Sequence, residues 1–237
     1  NPEDYTNRGR IITPLKDRFG AEVRTHYPLE LDDEIEVIEQ EADLTASVPA
    51  HLIEILARFT RYTRDHPSID QRSGVSARFA IAGAETVAAA ALHRATVLGE
   101  ELAVARVVDL QSVIEVLRGK VEFESGEEGR ELEILEHLLR KATADAVRAH
   151  LGGADLTSLV TALEGGDGIV TGDRVRAEDL VKSIPPQAAG VVDEIAGRLE
   201  AESAGERAAA LELALEGLFL ARKISKEADE AGQTVYG

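Results

Sequence analysis

GVSARFAIAGAETVAAAALHRATVL, residues 74–98, is the stretch whose periodicity decides how the chain is read. Ser76 is a residue type favoured at a helix N-cap. Beyond it Ala77, Ala80, Ile81, Ala84, Val87, Ala88, Ala91, Leu92, Ala95 and Leu98 recur at three- and four-residue spacing. The spacing predicts an amphipathic helix with Arg78 in its first turn.

The same pattern extends outward on both sides. Toward the N-terminus, Pro49 opens a helix with Leu52, Leu56 and Phe59 inward, which Pro67 ends, and Asp32 is suited to cap a helix carrying Ile35, Ile38 and Ala42. Val23 to Tyr27 reads as a strand stopped by Pro28. Toward the C-terminus, helices are predicted near Val107 to Leu117, over 127–151 with Leu132, Leu135, Leu139, Ala142 and Ala146 on one stripe, and from Leu156 to Leu163. Ile169-Val170-Thr171 and Arg174-Val175 flank Gly172-Asp173 and suggest a small hairpin. Helices near 177–183, 188–200 and 204–230 follow, the last with Leu211, Leu215, Leu218 and Phe219 inward. No internal repeat or low-complexity tract interrupts them.

Two motifs carry chemistry. Residues 1–20 read NPEDYTNRGRIITPLKDRFG, placing Arg18 in Asp-Arg-Phe-Gly, and residues 64–79 read RDHPSIDQRSGVSARF, placing Arg78 in Gly-Val-Ser-Ala-Arg. An arginine is permanently charged and can fork onto phosphate oxygens. These motifs resemble those of AAA+ ATPases in the branch of magnesium chelatase ATPase subunits and MoxR-like proteins. The resemblance implies that Asn1 is a sensor 1 residue orienting the attacking water. Arg18 would be an arginine finger acting on a neighbouring subunit's nucleotide, and Arg78 a sensor 2 residue touching bound nucleotide.

The resemblance covers residues 1 to about 120 and implies a mainly α architecture in three parts. Residues 1–30 would be the C-terminal edge of an AAA+ α/β core with sensor 1 and the finger, 31–120 a helical lid with sensor 2, and 121–237 an acidic helical extension. Such proteins use ATP and Mg2+ in a homo-oligomeric ring that remodels a partner with a von Willebrand factor A-like domain or assists metal insertion. No GxxxxGK[ST] phosphate loop occurs, nor four apolar residues ending in Asp-Glu. Without that cradle the chain alone is not expected to hydrolyse ATP. It is expected to begin partway through a domain, its first residue being Asn with no Met anywhere.

Composition limits the alternatives. The absence of cysteine rules out disulfides and thiolate metal sites. No apolar run approaches the roughly 18 residues that cross a bilayer, so a cytoplasmic protein is expected. The formal charge is −18; residues 121–237 hold 24 Asp and Glu against 12 Lys and Arg, and residues 1–120 hold 20 against 14. Negative charge of this size disfavours nucleic-acid and membrane surfaces and favours a basic partner.

Other candidate residues point to blander roles. Arg8, Arg10 and Arg72 are weaker phosphate ligands, with Arg8 and Arg10 flanking Gly9 in a loop. Glu133 and His137 have ligand spacing on one helix but no third partner, which reads as a solvated face and no metal site. His26 and His93 fit packing or hydrogen-bonding roles, and Ser73, Ser76 and Ser183 lack a nucleophile-elbow context. Two other functions compete with the ring motor: a helical interaction adaptor without nucleotide, and an AAA+ protein of the helicase or enhancer-binding type.

Overall fold

The computed structural model describes residues 18–21, 23, 25–166, 168–228 and 233–237. The described chain is mainly helical, with one small antiparallel sheet. Its first three helices are α1 (Leu31–Glu41), α2 (Ala50–Asp65) and α3 (Ala77–Leu98). A 3-10 turn at Val107–Leu110 leads into α4 (Gln111–Arg118), followed by α5 (Glu131–Leu151) and α6 (Thr157–Glu164). Strand β1 (Ile169–Thr171) precedes α7 (Ala177–Lys182), α8 (Ala189–Arg198) and α9 (Ala204–Leu220), and β2 (Lys226–Ala228) and β3 (Thr234–Tyr236) close the chain.

Helix α3 runs as its periodicity predicts. Ser76 is its N-cap, and Gly99 ends it in the left-handed region at φ 66°, where glycine pays no Cβ penalty. Helix α2 enters at Pro49, as expected, with Pro49 at the N-cap position and no side-chain cap bond. At α1 the cap is Glu30 rather than Asp32, because Asp33 is the carboxylate that turns back to accept the Glu30 N–H at 3.3 Å.

Three expectations are corrected. Val23 and residues 25–28 form no strand, and Val23 is 84% exposed with no strand beside it among the described residues. Gly172-Asp173 does not turn a hairpin, because the Gly172 and Val175 carbonyls accept from the Arg106 guanidinium at 2.7 and 3.0 Å instead of from a strand. Strand β1 pairs instead with β3 (Ile169 opposite Tyr236, Thr171 opposite Thr234), and β3 pairs on its other side with β2. The last helix stops at Leu220 rather than near 230. There Arg222 adopts φ 58°, its N–H donates to Phe219 O at 2.8 Å and the Lys223 N–H donates to Leu218 O at 2.9 Å, the paired bonds of a Schellman stop.

One continuous buried cluster runs from Ile38 to Tyr236. The most extensive helix contact is α2 on α5, so segments before and after residue 120 share this core. Helix α9 is buried from Ala208 to Leu218 on every side and packs on α5, α7 and α8. Where α9 faces α5, a Cβ on Gly217 would stand 2.5 Å from Val147 Cγ1, so any other residue there would force Val147 to shift.

Candidate functional site

Arg18 and Arg78, the two described arginines singled out by motif, are both exposed. Neither has a hydrogen-bond or ion-pair partner among the described residues. Asn1, Arg8 and Arg10 lie outside the described residues. Arg94, on the same helix as Arg78, is by contrast buried and spends its guanidinium on Asp109 (2.9 and 3.1 Å), Glu100 (3.0 Å) and the Val104 carbonyl (2.7 Å). Arg72 pairs with Asp70 at the surface at 3.3 Å.

The start of α3, which presents Arg78, is fixed by Arg64 on α2. Arg64 holds buried Glu34 of α1 through two parallel bonds of 2.9 and 3.2 Å, and its Nε donates to Val75 O at 3.2 Å. Such a fork is rigid because both charges are hydrogen-bonded on matching edges. Tyr27 completes the joint: the Arg64 guanidinium lies 4.0 Å from its ring centroid and its hydroxyl accepts the Val75 N–H at 3.2 Å. Gly74 is required at this turn, since its φ is 70° and a Cβ would sit 2.4 Å from the Tyr27 hydroxyl. Arg78 therefore leaves a well-anchored helix end.

A second arrangement lies deeper. Arg106, fully buried, reaches Gly172 O and Val175 O, and its Nε lies 3.4 Å from Glu212 Oε1 on α9 without making a hydrogen bond. Glu212 Oε2 accepts the Val108 N–H at 3.1 Å. Burial pushes the Glu212 carboxyl above its ordinary range, against the pull of Arg106. One turn on, Glu216 Oε2 accepts from the Tyr236 hydroxyl at 2.5 Å and from Lys226 Nζ at 2.7 Å. Both carboxylates line a cleft of about 820 Å³ bounded by Val107–Leu110, α4, α5, α9 and the sheet.

No short-range motif marks this cleft, although the sequence carries one signal of it. Charged residues inside runs apolar on all sides, as in Ala-Arg-Val-Val-Asp-Leu (105–110) and Ala-Leu-Glu-Leu-Ala-Leu-Glu (210–216), mark buried charges, which are retained only when paired. A one-sided apolar stripe on α9 does not account for Glu212 and Glu216, which are buried because the helix is covered on every side.

The α2–α5 interface holds a third cluster. His150 Nε2 lies 2.8 Å from Glu54 Oε2, Arg58 Nε donates to Glu54 Oε1 at 2.7 Å, and the His51 and His150 rings meet edge-on with centroids 6.5 Å apart. His51 Nε2 is buried without a hydrogen-bond partner among the described residues. Burial first, then the neighbouring His150, lowers the His51 pKa to about 4, with Glu54 opposing. A histidine that stays neutral when folded but titrates near 6.5 when unfolded leaves stability intact above pH 6.5. Stability is then lost as pH falls from 6.5 through 4, because the unfolded chain binds the extra proton. That loss is about 3 kcal/mol for a shift of this size. Urea unfolding between pH 7 and 4 is expected to show the slope, and His51→Gln to flatten it whatever its effect on the pH 7 baseline.

The other candidates stay local. Glu133, His137 and His93 are exposed, and His26 Nδ1 lies 2.7 Å from Tyr27 O. The Ser73 hydroxyl donates to Glu122 at 2.6 Å and that of Ser183 to Leu180 O at 2.7 Å. Among the described residues no group of three or more His, Asp or Glu is placed to hold a metal ion, and no helix is long and apolar enough to cross a membrane. Comparison with protein-family models, curated proteins and solved structures gave no match.

Proposed function

We propose that this chain is the C-terminal portion of an AAA+ ATPase of the magnesium chelatase and MoxR-like kind, a ring motor that remodels a partner bearing a von Willebrand factor A-like domain or assists metal insertion. The observation that carries the reading is Arg78. It projects, exposed and unpaired among the described residues, from the first turn of α3, while the joint behind it is locked by Arg64, Glu34 and Tyr27. A charge held ready at a fixed helix end is what sensor 2 work on a phosphate demands. Arg18 would serve the neighbouring subunit's nucleotide and Asn1 the attacking water. The phosphates and Mg2+ would be cradled by a phosphate loop outside this chain.

Nucleotide affinity tests the assignment of Arg78. In the protein that joins this chain to its phosphate loop, Arg78→Ala is expected to raise the Kd for ATP by roughly 10- to 100-fold, the loss of one charge-assisted hydrogen-bonded contact. Fluorescent-nucleotide titration reads this directly. An unchanged Kd would remove sensor 2 from α3 and favour the helical adaptor that uses no nucleotide.

A further inference from the structure

We propose that the cleft between Val107–Leu110, α4, α5, α9 and the sheet binds an extended organic polycation of the alkyl polyamine class, with ammonium groups joined by methylene chains. This goes beyond the ring-motor reading and does not depend on it. The cleft's volume, about 820 Å³, falls within the roughly 300–1,000 Å³ of small-ligand sites.

Its walls match that chemistry in two respects. Val107, Ile114, Leu132 and Leu139 supply an apolar lining suited to methylenes. Carboxylates stand at two levels: Glu212 and Glu216 are 2% and 7% exposed at the inner wall, and Glu115 and Glu136 are exposed at the rim. Glu212 and Glu216 are one helical turn apart and share a face of α9. Among the described residues the carboxylates lining the cleft outnumber the cations there, Arg140 and Lys226, so an anion would be repelled.

Two further observations point to a cationic ligand rather than to acidity alone. Among the described residues Glu212 Oε1 is a buried acceptor with no hydrogen-bond donor, and its ion-pair partner Arg106 Nε stands 3.4 Å away. Lys226 already shows how an alkylammonium sits there: its Nζ donates to Glu216 at 2.7 Å and lies 5.4 and 5.5 Å from the ring centroids of Phe219 and Tyr236. Aromatic faces and a carboxylate around an ammonium are a known means of holding organic cations. Carboxylates this deep are reached by a thin chain, not by a partner helix about 10 Å across.

Spermidine titrated calorimetrically into the full chain at 150 mM salt tests the proposal. One saturating equivalent is expected. Glu216→Gln should weaken it at least tenfold, and Lys226→Met, which removes the internal competitor, should tighten it severalfold. Glu178→Gln and Lys182→Met make the same charge changes at an exposed pair on α7 and should shift affinity less than twofold. Lys226→Met keeps the test decisive if Glu216→Gln does not fold. The proposal is overturned by the absence of saturable binding, by equal effects of cleft and control variants, or by a lysine-rich helical peptide occupying the Glu216-dependent site when spermidine does not.

Discussion

Arg106→Met is expected to destabilise the protein by about 3–5 kcal/mol, the cost typical of removing one partner from a buried ion pair. Arg106 is fully buried and serves three partners: the carboxylate of Glu212 and the carbonyls of Gly172 and Val175. Methionine fills much of the volume but donates nothing, so the Val175 carbonyl loses its donor, the Gly172 carbonyl keeps only the long bond from the Val175 N–H at 3.4 Å, and Glu212 is left charged in an apolar helix bundle. Glu212 can escape only by taking a proton, and its carboxyl is already raised by burial with Arg106 present. The loss measured by urea unfolding should therefore shrink as pH falls toward the raised Glu212 value, opposite in sign to the His51 effect. Adding Glu212→Leu should recover most of the stability at neutral pH, because replacing both charges removes the desolvation cost together with the attraction. A loss under about 1 kcal/mol for Arg106→Met would mean that water reaches the pair and that it behaves like a surface bridge.

Local signals made the helices legible. Pro49, Ser76 and the alternation from Ala77 to Leu98 depend on residues within one or two turns of each other, and α2 and α3 formed where they pointed. The small sheet was not legible for the opposite reason. Ile169 finds its partner at Tyr236, far along the chain, and Lys226-Glu227-Ala228 is built of residues that favour helices, so only tertiary packing makes it a strand. The end of α9 misled because its stop uses Arg222 at positive φ where sequence reasoning looks for glycine. Val23 to Tyr27 has strand composition, yet Tyr27 is held by its hydroxyl and ring rather than by backbone pairing. At the candidate sites, the position of Arg78 in the first turn of α3 is legible from Ser76 and the periodicity after it, whereas the cleft depends on Arg106, Glu212 and Glu216, which no short-range pattern brings together.

Arg18→Ala is expected to lower ATP turnover by about 10³-fold or more in the ring protein of the proposed function, the magnitude associated with arginine fingers. Nucleotide affinity should change little. A finger stabilises charge that develops on the transferring phosphate, so its removal raises the barrier more than it weakens the ground state. Arg18 is exposed and has no partner among the described residues, so its loss should leave stability near that of the parent and separate a kinetic effect from a folding one. Whether the finger acts on a neighbour is settled by complementation. Arg18→Ala subunits keep an intact phosphate loop, and subunits with a disabled loop keep Arg18; each is inactive alone, but together they form hybrid sites that combine both parts. Turnover regained on mixing is the expected result and requires active sites shared between neighbouring subunits. Parallel turnover in Arg18→Ala and parent would remove the finger from this position, and the acidic helical body would then be better understood as an adaptor.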